Sequence, residues 1–109
     1  METELLIKKY LPMTESAYYI LLSLNEPRHG YGIMQHVEEI TKGRIKIGPG
    51  TIYGTLSKLE SEKLIMQDRE IDRKKIFKLT DDGKRVINLE LLRLKELYDN
   101  GMIEMGGAI

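Results

Sequence analysis

The sequence predicts a mainly α-helical chain with one small β-hairpin. Two observations carry that expectation. Apolar residues recur at three- and four-residue steps along most of the chain, as on helices with one buried face. Between Leu64 and Leu79 that rhythm gives way to two short runs joined by a charged tip, as in a hairpin. At 109 residues, 41% apolar and 31% charged, this is the composition of one globular domain with a modest core. Surplus apolar surface is therefore expected to be covered by a second copy.

Residues Glu4 to Leu11 place Leu5, Leu6, Ile7, Tyr10 and Leu11 on two turns of helix stopped by Pro12, an arm suited to docking on a partner subunit. Thr14 is the expected N-cap of the next helix, with Glu15 at the positive end of its dipole. Ala17, Tyr18, Ile20, Leu21, Leu22 and Leu24 give that helix apolar residues on more than one face, so it is central, and Asn25-Glu26-Pro27 ends it. After the turn Pro27–Gly30, a helix from about Tyr31 to Thr41 turns Ile33, Val37 and Ile40 inward and stops at Gly43. Arg44-Ile45-Lys46-Ile47 alternates basic and apolar residues, as in a short strand or extended linker.

Gly48 to Ile65 is the central stretch, a Gly/Pro turn feeding a helix. Ile52, Leu56 and Leu59 make its apolar stripe. The other face carries Thr51, Gly54, Thr55, Ser57, Lys58 and Ser61, small, hydroxylated or basic groups that permit close approach to a phosphate backbone and to base edges. Leu64-Ile65-Met66 then begins a strand, Asp68 to Arg73 reads as a turn, and Lys74 to Leu79 is the return strand. Helix, helix, short strand, helix and hairpin in that order are a winged helix-turn-helix. Thr80 caps a last long helix, with Asp81 and Asp82 at its positive end and Asn100-Gly101 at its close. Its apolar residues, from Val86 to Tyr98, occupy two faces, one for its own domain and one for dimerisation. The expected organisation is an arm (1–12), a winged helix-turn-helix domain (13–79), a dimerisation helix (80–100) and a flexible tail (101–109).

The formal net charge is zero, yet Lys42 to Lys78 holds ten Lys/Arg against five Asp/Glu, a local excess of +5 balanced by acidic ends. Such segregation suits an anionic partner at the centre of the chain. Other chemistries find little support. Without cysteine there are no disulfides or thiolate metal sites, which fits a reducing cytoplasm. No basic-then-apolar leader opens the sequence, and the apolar run Ala17 to Leu22 is too short to cross a membrane. Gly43 to Gly48 has the glycine spacing of a phosphate loop, but Pro49-Gly50 replaces its Lys-Ser/Thr. His29 and His36 make a poor metal set, and read instead as a turn histidine and an exposed helix histidine. No nucleophile–base–acid set suggests an enzyme, and neither a metal nor a cofactor is expected.

Three stretches taken together resemble the PadR family of winged-helix transcriptional regulators, in its short form with a single C-terminal helix. They are His29-Gly30-Tyr31-Gly32-Ile33; Gly50 to Leu56 with Leu59-Glu60 and Leu64-Ile65; and Arg73 to Thr80 with Gly83. In register they span about residues 14 to 98. The resemblance implies a homodimeric DNA-binding repressor held by its C-terminal helices with help from the arm, and small aromatic or hydrophobic effectors near the dimer interface in some members. The sequence departs from the family at Gly54, where Pro is common, at Lys63, where Gly is common, and at Phe77, where Tyr is usual. It also has no Trp to stack a planar ligand.

The expected function is repression from a pseudo-palindromic operator in double-stranded DNA, with possible release by a hydrophobic effector. Thr51, Tyr53, Ser57 and Lys58 are assigned to the major groove or its flanking phosphates. Arg69, Arg73, Lys74 and Lys75 are assigned to the backbone beside the wing or to the minor groove. Leu5, Leu6, Leu91, Leu94 and Tyr98 are assigned to the dimer interface. The alternative is a winged-helix module that binds an acidic protein rather than DNA.

Overall fold

The computed structural model describes residues 2–107. Met1 of the expected arm and Ala108-Ile109 of the expected tail lie outside the described residues. The elements are α1 (Thr3–Tyr10), α2 (Glu15–Ser23), α3 (Gly30–Ile40), α4 (Pro49–Ser61), β1 (Ile65–Ile71), β2 (Lys74–Leu79) and α5 (Asp81–Glu104). This is the mainly helical winged helix-turn-helix that the sequence predicts.

Local chemistry sets most boundaries. Thr14 Oγ1 accepts the Ala17 N–H at 3.1 Å, and Thr80 Oγ1 accepts the Gly83 N–H at 3.1 Å, so both expected N-caps are in place. Pro49 opens α4, where its missing N–H costs nothing. At the other end of α4, the Leu64 N–H reaches the Leu59 carbonyl at 3.0 Å and the Lys63 N–H reaches that of Glu60 at 3.0 Å. That is a Schellman turn, with Lys63 at φ +61° in the left-handed position that glycine usually fills.

The core joins Ile20, Leu21 and Leu24 of α2, Ile33 and Val37 of α3, Ile52, Leu56 and Leu59 of α4, Phe77 and Leu79 of β2, and Val86 and Ile87 of α5. Leu6 is a correction: it is fully buried in this same core rather than exposed for a partner, because α1 packs on α5 of its own chain. Ile40 is another. It closes α3 and is exposed, while Met34 packs against the core instead. Arg44 to Ile47 forms an extended linker and not a strand; Ile47 is buried, and Arg44 pairs with Glu15.

The hairpin is longer than the sequence suggests. Asp68 to Ile71 continue β1, and the turn is only Asp72-Arg73, both at positive φ (50° and 66°). The register pairs Gln67 with Phe77, Arg69 with Ile76 and Glu70 with Lys75, leaving Asp68 as the extra residue of a bulge. Charged residues alternate with few apolar ones here, so period-two patterning is weak and the strand reads as a turn. The last helix is longer too. Asn100-Gly101 does not end α5, which continues to Glu104. Only its first three turns dock on the domain, and from Leu91 onward no described residue is buried. The projecting half explains a radius of gyration of 15.3 Å, against about 13 Å for a compact chain of this length. Among the described residues, no helix is long and apolar enough to cross a membrane.

Candidate nucleic-acid interface

Projected at roughly 100° per residue, Gly50, Gly54, Ser57 and Ser61 run along the outward line of α4, opposite the buried Ile52, Leu56 and Leu59. Tyr53 flanks this line on one side, and Thr51 and Lys58 on the other. The two central glycines meet nothing within 4 Å of a built Cβ, so the helix presents a nearly bare backbone to solvent.

Beside Tyr53 lies a groove of 360 Å³ between α4, the start of α3 and the wing. Tyr53 and Ser57 form one wall, Arg73, Lys74 and Lys75 another, and His29 and Tyr31 close the end, with Glu60 the acidic residue among them. The walls are held together by backbone. Arg28 and Phe77 exchange N–H···O bonds of 3.1 and 2.9 Å, tying the turn before α3 to β2. Arg28 Nε also donates to the Ser23 carbonyl at 2.9 Å. Gly30 makes room for Tyr53: a Cβ on it would sit 2.7–3.0 Å from the outer atoms of that side chain, which would have to move. The absence of a side chain at Gly30 lets Tyr53 lie over the entry of α3.

Ion pairing sorts the basic segment. Arg44 and Lys46 pair with Glu15 and Glu38, and Arg69 and Lys78 both pair with Asp68 at 3.2 and 3.3 Å. Lys42, Lys58, Lys63, Arg73, Lys74 and Lys75 have no ion pair among the described residues. Three of these six, Arg73, Lys74 and Lys75 at the wing tip, line the groove, where they outnumber its one acidic lining residue, Glu60.

Of the eight residues expected to meet nucleic acid, the structure brings Tyr53, Ser57, Arg73, Lys74 and Lys75 into one groove. Thr51 and Lys58 are exposed on the opposite flank of α4. Arg69 is set apart: it lies across the ladder from Ile76, on the other face of the hairpin from Phe77. His29 and Tyr31 were not expected there. The available signal was a histidine at an N-cap position with an aromatic residue two places on. His36 is half-buried rather than exposed.

On α5, Leu91, Leu94 and Tyr98 are 43%, 37% and 61% exposed, and Met105 extends the same seam by seven residues. Leu5 of α1 is also exposed. Where α5 meets α2, a second cavity of 290 Å³ is lined by Met13, Tyr18, Tyr19, Glu90, Arg93 and Leu94, with Glu15 at its edge. Glu90 is buried; its Oε2 accepts the Met13 N–H at 2.8 Å and Arg93 at 3.1 Å, and its Oε1 is also bonded by Arg93. Burial pushes the Glu90 carboxyl up, but the Arg93 and Met13 bonds and the Arg93 charge outweigh it and hold the group below its ordinary value. Burial, with the neighbouring Tyr19 and Glu90, raises the Tyr18 hydroxyl.

Residues 20–89 match the family described as "Transcriptional regulator PadR-like family". A transcriptional regulator of Escherichia coli, YqjI, is 38% identical over 55 residues, 50% of this chain and 27% of that protein. A PadR-like transcription factor of Bacteroides fragilis superposes with a TM-score of 0.68 at 28% identity, covering 78% of this chain and 84% of that one. Bacillus subtilis PadR in complex with operator DNA superposes with a TM-score of 0.64 at 29% identity, covering 72% of this chain and 47% of that one. The chain spans 18–27% of the length of the curated relatives it matches.

Proposed function

The chain belongs to the PadR-like family of transcriptional regulators, and we propose that it is a repressor that binds a pseudo-palindromic operator as a homodimer. One observation carries the reading: the groove in which Tyr53 and Ser57 of α4 face the unpaired Arg73, Lys74 and Lys75 of the wing. In this reading α4 enters the major groove along its bare Gly50–Gly54–Ser57 line. The wing cations hold the adjoining phosphates, and Thr51 and Lys58 meet the backbone on the far flank. The similarity to a PadR in complex with operator DNA supports binding to an operator.

The exposed seam Leu91, Leu94 and Tyr98 of α5, with Leu5 of α1, supports self-association. Two copies would space their α4 helices by about 34–36 Å, one turn of DNA, or by a distance to which the DNA bends. The cavity between α2 and α5, with its two tyrosine rings, supports release by a small hydrophobic or aromatic effector. Such an effector must bind the free and DNA-bound states unequally, since equal affinity shifts nothing. The protein works in the cytoplasm as a binding protein without enzymatic activity.

A salt titration tests the interface. Arg73→Ala is expected to lower the slope of log affinity against log salt by about 0.9, the counterion released per phosphate contact. An unchanged slope removes Arg73 from the interface. A wild-type protein that binds no duplex at low salt refutes the reading as a whole.

A further inference from the structure

His29 occupies a position that a smaller residue would fill as well. It is the N-cap of α3, and its Nδ1 accepts the Gly32 N–H at 3.0 Å. Asn, Asp or Ser is the usual choice for that task. The imidazole ring lies against Gly32, where a Cβ would come within 3.5–3.8 Å of three ring atoms, and near-parallel to Tyr31 at 7° with centroids 6.4 Å apart. The orientation of the ring is therefore defined on two sides.

That bond also defines the proton. A neutral imidazole has one donor and one acceptor nitrogen. With Nδ1 accepting a backbone N–H, the proton resides on Nε2. This donor has no hydrogen-bond partner among the described residues, and the ring lines the groove opposite Arg73, Lys74 and Lys75. The charges facing it are those three cations of the wing and Glu60 of α4; the aromatic neighbours are Tyr31 and Tyr53. A groove with that balance draws in an anionic strand, which brings acceptor oxygens to the donor that the cap leaves over.

We infer that His29 is a DNA-binding residue in its own right, its Nε2–H donating to a backbone phosphate that runs between the start of α3 and the wing, while Nδ1 caps the helix. The inference rests on the reading of the chain as a DNA-binding protein. It adds a neutral contact that fixes the strand in the groove without releasing a counterion.

Two substitutions separate the two nitrogens. His29→Asn keeps an acceptor at the Nδ1 position but does not reach the groove. His29→Gln extends an amide donor toward the Nε2 position but caps poorly. Binding to a random-sequence DNA duplex at low salt is measured beside thermal unfolding. His29→Asn is expected to keep the wild-type melting temperature and salt slope while losing about tenfold in affinity, the worth of one hydrogen bond to a charged group. His29→Gln is expected to melt lower yet bind more tightly than His29→Asn. Wild-type affinity in His29→Asn overturns the contact, as do losses of affinity in the two variants that follow their losses of stability. A wild-type protein that binds no duplex instead removes the DNA-binding reading, and the contact with it.

Discussion

Replacing Gly83 by alanine would place a Cβ 2.0 Å from the carbonyl oxygen of Leu64 and 3.1 Å from its carbon. Ordinary C···O contacts begin near 3.3 Å, so the first turn of α5 must retreat from β1 by more than 1 Å. The obstacle is backbone at the head of the wing, already engaged by the Thr80 N–H at 3.0 Å, and no side-chain rotation relieves it. Retreat also loosens the bonds from Thr80 Oγ1 to the Lys63 carbonyl and from the Gly83 N–H to Thr80 Oγ1, at 2.7 and 3.1 Å. An overpacked contact costs about 1–3 kcal/mol and a lost cap about 1 kcal/mol, so Gly83→Ala is expected to lose about 3 kcal/mol. For a domain of this size that lowers the melting temperature by at least about 12 °C. The measurement is thermal unfolding by circular dichroism at matched protein concentration, since the proposed self-association would make the midpoint concentration-dependent. Gly54→Ala is the control. It lies inside α4 with nothing within 4 Å, and is expected to gain about 0.5–1 kcal/mol from helix propensity. A Gly83→Ala protein that melts within about 4 °C of wild type would refute the close-approach argument.

Lys63→Gly removes a side chain from a left-handed position and is expected to stabilise by about 0.5–1 kcal/mol, the strain relieved less the added freedom of the unfolded chain; an unchanged or lower urea midpoint counts against it. Gly30→Ala forces the Tyr53 ring out of its seat, so DNA affinity is expected to fall with little change in melting temperature. Combined with Tyr53→Ala it should cost no more than Tyr53→Ala alone, and additive losses would separate the two residues. Glu90→Gln is expected to lose about 1–2 kcal/mol at neutral pH through the weakened Arg93 pair. Because the folded carboxyl lies below its ordinary value, its contribution is complete above the unfolded pKa and disappears as pH falls through the folded one. Wild type and Glu90→Gln should therefore converge in stability in acid, and a gap that widens there contradicts the assigned shift.

The order of elements was legible because each helix carries its own stops and caps: Thr14, Pro27, Gly43, Pro49 and Thr80 punctuate the chain before any tertiary contact is known. What was illegible depended on contacts distant in sequence. Leu5, Leu6 and Ile7 are equivalent on a short apolar stretch, and only the docking of α1 on α5 decides that Leu6 is buried while its neighbours are not. The outer half of β1, Asp68 to Ile71, was hidden because a bulge at Asp68 breaks the two-residue alternation that identifies a strand. Asn100-Gly101 is a normal helix stop, yet α5 runs through it. Within the candidate interface, the sequence assigned Thr51, Tyr53, Ser57 and Lys58 to nucleic acid together, and only the fold puts Tyr53 and Ser57 in the groove with Thr51 and Lys58 on the far flank. Nor did the sequence separate Arg73 from Arg69, whose difference lies in strand register and in Asp68.

The two cavities are linked by the helices between them. Glu90 and Arg93 line the cavity under α2, and Glu90 binds the Met13 N–H just before α2 begins. α2 packs in turn on both α3, which His29 caps, and α4, which carries Tyr53. The Glu90–Arg93–Met13 contact lines that cavity beside Tyr18 and Leu94, at the point where α5 leaves the domain. Beyond that point α5 is free of its own core, so a small change in its exit angle is magnified along the roughly 20 Å of helix that follows Leu91. In a dimer joined by that segment, the same change would alter the spacing between the two α4 helices while leaving each groove intact. Under the proposed function, regulation by this route would require no distortion of the groove, only a shift in the angle at which two unchanged grooves are presented.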